Sequence, residues 1–204
     1  MAQPSANSLQ EQPKVLATPD EPSDAVLIER SLRRPERFEV VFDRHFDAIH
    51  GYVARRLGRG LADDVASETF LIAFDCRARY ELGQPDAAPW LYGIASNLIA
   101  RHRRAEVRRY RALARAGGED TVEGHSEGVA RRLDAQALRA RLAAALLDLK
   151  ARDREVLLLV AWAQLSLEEA ARALGVPAGT ARSRLHRARA KTRLALAGET
   201  KGES

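Results

Sequence analysis

The sequence predicts an all-α protein of two small helical domains joined by a flexible linker. Three observations carry this. Ala, Leu and Arg dominate after about residue 30, whereas aromatic residues make up only 5% of the 204 residues. Apolar residues recur at intervals of three and four, and no segment alternates Val, Ile, Thr and aromatics as a half-buried strand does. The Gly and Pro residues fall between helix-like runs rather than at hairpin spacing.

Residues 1–25 hold Pro4, Pro13, Pro19 and Pro22 among Ser, Gln, Asp and Glu. They offer too few apolar positions to bury a core and read as a disordered tail. The first domain spans 26–116. Phe38, Val41, Phe42, His45, Phe46, Ile49 and Val53 form a helical stripe that stops at Gly58 and Gly60. A second helix covers 61–76, with Val65, Phe70, Leu71 and Phe74 packed inward. A loop over 79–89 carries Gly83, Pro85 and Pro89, and one long helix runs from 90 to about 115. Residues 117–130 are acidic, glycine-rich and aperiodic, which reads as a flexible linker. The second domain, 131–198, opens with a stripe of Leu138, Leu142, Leu146 and Leu149. Another helix follows with Val156, Leu157, Leu159 and Val160, and residues 199–204 form a C-terminal tail.

Residues 165–193 read as a helix-turn-helix. Ser166 and Glu169 have the spacing of a capping box. Gly175 suits a left-handed helix stop, Val176 can plug the space between the two helices, and Pro177 suits the opening of the second. Advancing 100° per residue places Ala181, Leu185 and Ala188 on one side of that second helix. Ser183, His186 and Arg187 lie on the other, flanked by Thr180 and Arg182. No acid occurs from 178 to 197, while Arg182, Arg184, Arg187, Arg189, Lys191 and Arg193 supply positive charge for phosphates and base edges in a major groove.

Two further stretches have contrasting charge. Residues 101–115 hold seven arginines against the single acid Glu106 and follow the aromatic segment with Trp90 and Tyr92. Guanidinium groups can hold a nucleic-acid backbone while aromatic rings stack on unpaired bases. Residues 61–76 hold Asp63, Asp64, Glu68 and Asp75 with no Lys or Arg, which fits either a docking face or simple complementarity to a helix N-terminus. The net charge, 33 basic against 28 acidic residues, is only +5, so the placement of charge is more informative than its sum. No arrangement resembles paired catalytic carboxylates, a nucleophilic triad, a phosphate-cradling glycine loop or metal-ligand spacing. No enzymatic activity, metal or cofactor is expected. Cys76 is the sole cysteine, cannot close an internal disulfide, and reads as a small buried apolar residue. No apolar run approaches the ~20 residues of a membrane-spanning helix and no signal-peptide pattern is present, so a cytoplasmic protein without membrane insertion is expected.

Two blocks, taken in order, resemble the two domains of bacterial RNA polymerase sigma factors of the extracytoplasmic-function (ECF) group. The first is Ala62-Asp63-Asp64-Val65-Ala66-Ser67-Glu68-Thr69-Phe70-Leu71, then Pro89-Trp90-Leu91-Tyr92-Gly93-Ile94-Ala95-Ser96-Asn97 and the run Arg101-His102-Arg103-Arg104. The second is Val176-Pro177-Ala178-Gly179-Thr180-Ala181-Arg182-Ser183-Arg184-Leu185-His186-Arg187-Ala188-Arg189. The resemblance implies that 26–116 is sigma region 2 and 131–198 sigma region 4. By that resemblance Asp63, Asp64 and Glu68 would dock on the clamp coiled coil of the core RNA polymerase β′ subunit. Trp90, Tyr92, Asn97, Arg101, Arg103 and Arg104, with the 79–89 loop, would read the minus-ten element as single strand. Thr180, Arg182, Ser183, Arg184, His186 and Arg187 would read the minus-thirty-five element of promoter DNA, while the second domain also meets the β flap. The linker would thread toward the RNA exit channel.

The sequence departs from the family pattern at Ser67, where glutamine is common, at Ala170, where a bulkier residue is common, and at Ala181, where a β-branched residue is usual. Members of this group are often held by an anti-sigma factor that covers both domains; no residue of this sequence specifies one. The alternative reading is a stand-alone helix-turn-helix transcriptional regulator whose first domain senses a ligand or dimerises. A helical RNA-binding protein is a third, against which the acidic helix argues.

Overall fold

The computed structural model describes residues 21–116 and 127–197, with side chains for all of these except 127–134. The first twenty residues of the predicted N-terminal tail, most of the predicted linker and the C-terminal tail lie outside the described residues. Among the described residues there is no strand. The helices are α1 (Asp24–Ser31), α2 (Glu39–Leu57), α3 (Ala62–Cys76), α4 (Ala88–Arg101), α5 (Arg103–Ala116), α6 (Glu127–Asp148), α7 (Ala151–Ala161), α8 (Leu167–Ala173) and α9 (Ala178–Ala197), with short 3₁₀ turns around α2 and after α3. None is long and apolar enough to cross a membrane.

Local chemistry explains the boundaries. Ser23 caps α1 by accepting from the Val26 N–H. Gly58, at φ +92°, ends α2 in a conformation that L side chains rarely adopt. Asp63 and Asp64 fall in the first turn of α3, where they complement the helix dipole. Pro89 sits in the first turn of α4, where its missing N–H costs nothing.

The single long helix expected from 90 to about 115 is two helices. His102 leaves helical geometry at φ −88°, ψ 16°, and its carbonyl then accepts from the Ala105 and Glu106 N–H groups. This break re-aims α5 so that Glu106 is drawn inside, 2% exposed. Helix α6 begins at Glu127, inside the segment expected to be a flexible linker.

Two apolar stripes also differ from expectation. Leu138 is 57% exposed and Leu142 half-buried, so the α6 stripe is fully buried only at Leu146 and Leu149, and Leu71 is 61% exposed on α3. Cys76 is half-buried. One apolar cluster runs through both halves of the chain, joining Ile28, Ile49, Val53, Phe70, Leu91 and Leu98 to Leu146, Leu158, Leu159, Leu165 and Ala170. A smaller cluster of Val156, Ala171, Ala181 and Leu185 holds the helix-turn-helix together.

Buried charge reinforces the packing. The fully buried Arg56 guanidinium on α2 donates from Nε and Nη2 to Glu106 at 2.8 and 2.6 Å. It donates to both Glu155 oxygens on α7 at 2.7 and 2.6 Å, and to the Tyr52 hydroxyl at 2.8 Å. Arg154 completes the network, donating to Glu106 at 3.3 Å and to the Leu146 carbonyl at 3.0 Å. Burial alone lowers the pKa of Arg56, but Tyr52 and the two carboxylates reverse that and hold it well above its ordinary value.

A second knot fixes the start of α4. Asp24 accepts from the Ala87 N–H at 2.9 Å and from Arg44 at 3.0 Å, and meets His45 Nε2 at 2.7 Å. Burial pushes the Asp24 carboxyl up, yet hydrogen bonding and charge from His45, with the Ala87 and Arg44 bonds, leave it below its usual value.

Candidate nucleic-acid interface

The helix-turn-helix is built from α8, a tight turn and α9, and its hydrogen bonds follow the sequence. Ser166 Oγ accepts from the Glu169 N–H at 3.2 Å, and Glu169 Oε2 accepts from the Ser166 N–H at 2.7 Å, the reciprocal capping box. At the other end Gly175 has φ +60°. The Val176 N–H reaches the Ala171 carbonyl and the Gly175 N–H reaches the Arg172 carbonyl, both at 3.0 Å, which closes a Schellman turn.

That turn orients α9. Ala181, Leu185 and Ala188 are buried, and Arg182, Ser183, His186 and Arg187 are exposed. Thr180 and Arg184 are half-buried at the edge of this face. Ser183 donates back to the Thr180 carbonyl at 3.0 Å. Arg187 donates to Asp153 of α7 from Nε at 3.2 Å and from Nη2 at 2.9 Å. Because Arg187 is more than half exposed, this pair is a weak tether that a DNA phosphate or base can replace.

An open basin of about 580 Å³ lies beside the helix, lined by Lys150, Arg152, Asp153, Thr180, Arg184 and Arg187. Lys150 and Arg152 were not singled out by the sequence reading. Their signal was a basic pair just ahead of an apolar helix, which only the fold carries to the side of α9.

The first-domain residues divide between surface and interior. Asn97, Arg101, Arg103 and Arg104 are exposed along α4 and the start of α5. Trp90 is half-buried, with its ring 4.9 Å from that of Tyr80. Tyr92 does not share this surface. It is 6% exposed and sits edge-on to Tyr52 at 5.1 Å, and burial pushes its hydroxyl up to about 12. The expectation that its ring stacks on an unpaired base gives way to a packing role, because the helical period that keeps Trp90 and Asn97 on one side turns position 92 inward.

Tyr80, missed by the sequence reading, organises the 79–89 loop. Its hydroxyl donates to the Gln84 carbonyl at 2.6 Å and to that of Asp86 at 3.2 Å.

The acidic face of α3 is exposed at Asp63 and Asp64 and half-exposed at Glu68. Asp63 meets His50 Nε2 at 2.9 Å, and Glu68 accepts from Arg101 at 3.4 Å, so the acidic and basic surfaces border one another. Leu71 completes the face at helical spacing from Asp64 and Glu68. It points outward there, against the inward role that its apolar character predicts. The group Asp24, His45 and Asp86 brings three potential ligand atoms together. The Asp24 oxygens are already taken by Ala87, Arg44 and His45, which accounts for the cluster as a packing knot.

Comparison with known proteins accords with this geometry. Residues 41–109 match the Sigma-70 region 2 family and residues 139–192 match Sigma-70, region 4. An ECF RNA polymerase sigma factor of Mycobacterium tuberculosis is 31% identical over 175 residues, covering 85% of this chain and 90% of the relative. The RNA polymerase sigma factor CarQ of Myxococcus xanthus is 36% identical over 160 residues, covering 78% of this chain and 88% of that one. The solved structure of CnrH in complex with the cytosolic domain of CnrY shares the fold, with a TM-score of 0.59 at 23% identity, covering 87% of this chain and 99% of that chain. Both family regions, matched in order, and relatives 31% and 36% identical over most of their length place this chain in the family of ECF RNA polymerase sigma factors.

Proposed function

We propose a residue-level division of labour for this sigma factor, which directs core RNA polymerase to promoters for transcription initiation. Asp63, Asp64, Glu68 and Leu71 form the surface for the β′ clamp coiled coil, an apolar contact ringed by acid. Trp90, Asn97, Arg101, Arg103 and Arg104, with the Tyr80-braced loop, capture the minus-ten element as single strand. Thr180, Arg182, Ser183, Arg184, His186 and Arg187 read the minus-thirty-five duplex, and Lys150 and Arg152 hold its phosphates.

The observation that carries this reading is the outward, acid-free face of α9 in a helix-turn-helix whose α8 is capped at both ends. Affinity there falls steeply with salt as phosphate counterions are released. Melting follows from trapping unstacked bases, whose extrusion costs a few kcal/mol that stacking and backbone contacts must offset. Catalysis of nucleotide addition belongs to the core enzyme, so the sigma chain acts by binding alone, in the cytoplasm where polymerase works. Similar solved structures hold CnrH in complex with the cytosolic domain of CnrY, and the sigma factor RpoE in complex with the anti-sigma factor NepR of Bartonella quintana, which supports an anti-sigma partner for this chain too.

Charge reversal at Asp63, Asp64 and Glu68 together tests the docking surface. The expected result is loss of core polymerase capture with unchanged binding to minus-thirty-five duplex. Undiminished core binding would remove this face from the assignment.

A further inference from the structure

Asp153 carries the wrong sign of charge for its place at the upstream reader. Among the described residues it is the one acid lining the basin beside α9, in the company of Lys150, Arg152, Arg184 and Arg187. A carboxylate this close to the expected path of phosphates lowers affinity for DNA of any sequence, so a gain in overall affinity does not account for it. Its position in the first turn of α7 complements the helix dipole, but that role needs no partner on α9.

What the carboxylate holds is one side of a guanidinium. Asp153 Oδ2 accepts from Arg187 Nε at 3.2 Å, and Oδ1 accepts from Nη2 at 2.9 Å. This pairing uses one edge of the planar fork. Among the described residues nothing accepts from Nη1, so the edge formed by Nη1 and the second Nη2 proton is left for a bidentate acceptor. The O6 and N7 atoms of a guanine in the major groove are such a pair. The two partners differ in freedom. Asp153 is buried on a helix anchored by Val156, Leu158 and Leu159, whereas the Arg187 side chain is 56% exposed. The carboxylate is therefore the fixed member and the guanidinium the one that is aimed. Arg182 and Arg184 of the same helix make no ion pair among the described residues.

We propose that Asp153 is a positioning residue for promoter discrimination, which aims the Arg187 fork at a guanine of the upstream element and competes with phosphates for it on unmatched DNA. Where no guanine edge meets the fork, Arg187 only exchanges one anion for another. Where one does, the free edge takes the base with the side chain already ordered. The inference rests on the assignment of α9 as the minus-thirty-five reader.

The test titrates the full chain, by anisotropy, with a duplex carrying the upstream element of a promoter at which the holoenzyme initiates. A panel replaces each base pair of that element in turn, and a scrambled duplex sets the baseline. Asp153→Asn keeps the shape of the side chain but loses its charge and one acceptor. It is expected to bind the matched duplex more weakly and the scrambled duplex more tightly. The ratio of the two affinities should fall at least about fivefold, the lower end of what a bidentate base contact supplies. The loss is expected at the same G·C pair where Arg187→Ala loses discrimination, and Asp153→Asn added to Arg187→Ala should change the ratio no further. Arg187→Lys keeps the charge but has no fork to share between two acceptors, and should lose the same ratio with scrambled affinity retained. Asp148→Asn is the control for charge alone. It frees Lys191 of the same helix, 2.7 Å away, and should raise both affinities with the ratio unchanged.

An unchanged ratio in Asp153→Asn overturns the proposal, as does a loss spread evenly over the panel, centred on an A·T pair, or repeated in the Arg187→Ala background. Arg187→Lys discriminating like wild type overturns it from an exposed position, where folding is not at stake. Equal losses by Arg187→Ala on every sequence would instead remove the base-reading assignment of Arg187, and the positioning role with it.

Discussion

Replacing Arg56 by Met tests the buried charge network that unites α2, α5 and α7. Arg56 is fully buried and makes five hydrogen bonds to Glu106, Glu155 and Tyr52. Methionine fills much of the volume but donates nothing. Glu155 is 18% exposed on its side chain and can turn to water, whereas Glu106 at 3% cannot. Glu106 would retain only the 3.3 Å bond from Arg154 and a 3.5 Å contact with the Tyr110 hydroxyl. Stranding a buried carboxylate in this way costs about 3–5 kcal/mol. For a chain of this size that lowers Tm by roughly 6–20 °C. Urea denaturation followed by far-ultraviolet circular dichroism measures it directly.

The double variant Arg56→Met with Glu106→Gln removes both ends of the pair and should recover at least half of the loss, a coupling that a double-mutant cycle isolates. A single-variant cost below about 1 kcal/mol, the value of a surface pair, would refute the reasoning. So would strict additivity in the double variant.

Other outcomes follow from the same structure. Arg187→Ala should weaken matched minus-thirty-five duplex by about 5- to 150-fold in anisotropy titrations, and scrambled duplex by much less; equal losses would make Arg187 a phosphate contact. Ser166→Ala should cost about 0.5–2 kcal/mol through the lost cap. Gly175→Ala should cost about 1–2 kcal/mol through backbone conformation alone, since nothing lies within 4 Å of a Cβ there; both are read from urea midpoints. The Asp24 carboxyl is held below the ordinary aspartate value of 3.8, so its stabilisation is present above that pH and disappears as pH falls through the lower folded value. Wild type should therefore lose stability below about pH 4 more steeply than Asp24→Asn, and parallel acid limbs would contradict the bonding assigned to Asp24.

The helix-turn-helix was the most legible part of the molecule because its determinants are local. Ser166, Glu169, Gly175 and the three-and-four spacing of Ala181, Leu185 and Ala188 each act within a few residues, and each takes its expected place. Where a tertiary partner decides, the sequence was opaque. Beyond the break at His102, Glu106 pairs with Arg56, fifty residues away. Leu71 and Leu138 are apolar at helical spacing yet lie on open faces, since periodicity marks a face without saying what covers it. Tyr92 and Trp90 are two residues apart on one helix and therefore point apart, which composition alone had merged. The close approach of Gly93 to the Ala173 carbonyl joins segments eighty residues apart, and no local pattern announces it.

The most direct test of the whole account is transcription itself. Purified protein is mixed with sigma-free core polymerase and a promoter library, and initiated transcripts are sequenced. The account predicts a stable complex and initiation at sites carrying two elements at one fixed spacing, with Asn97→Ala altering preference only at the downstream element and Arg187→Ala only at the upstream one. Failure to bind core, alongside specific duplex binding by the free chain, would contradict it and point to a stand-alone regulator.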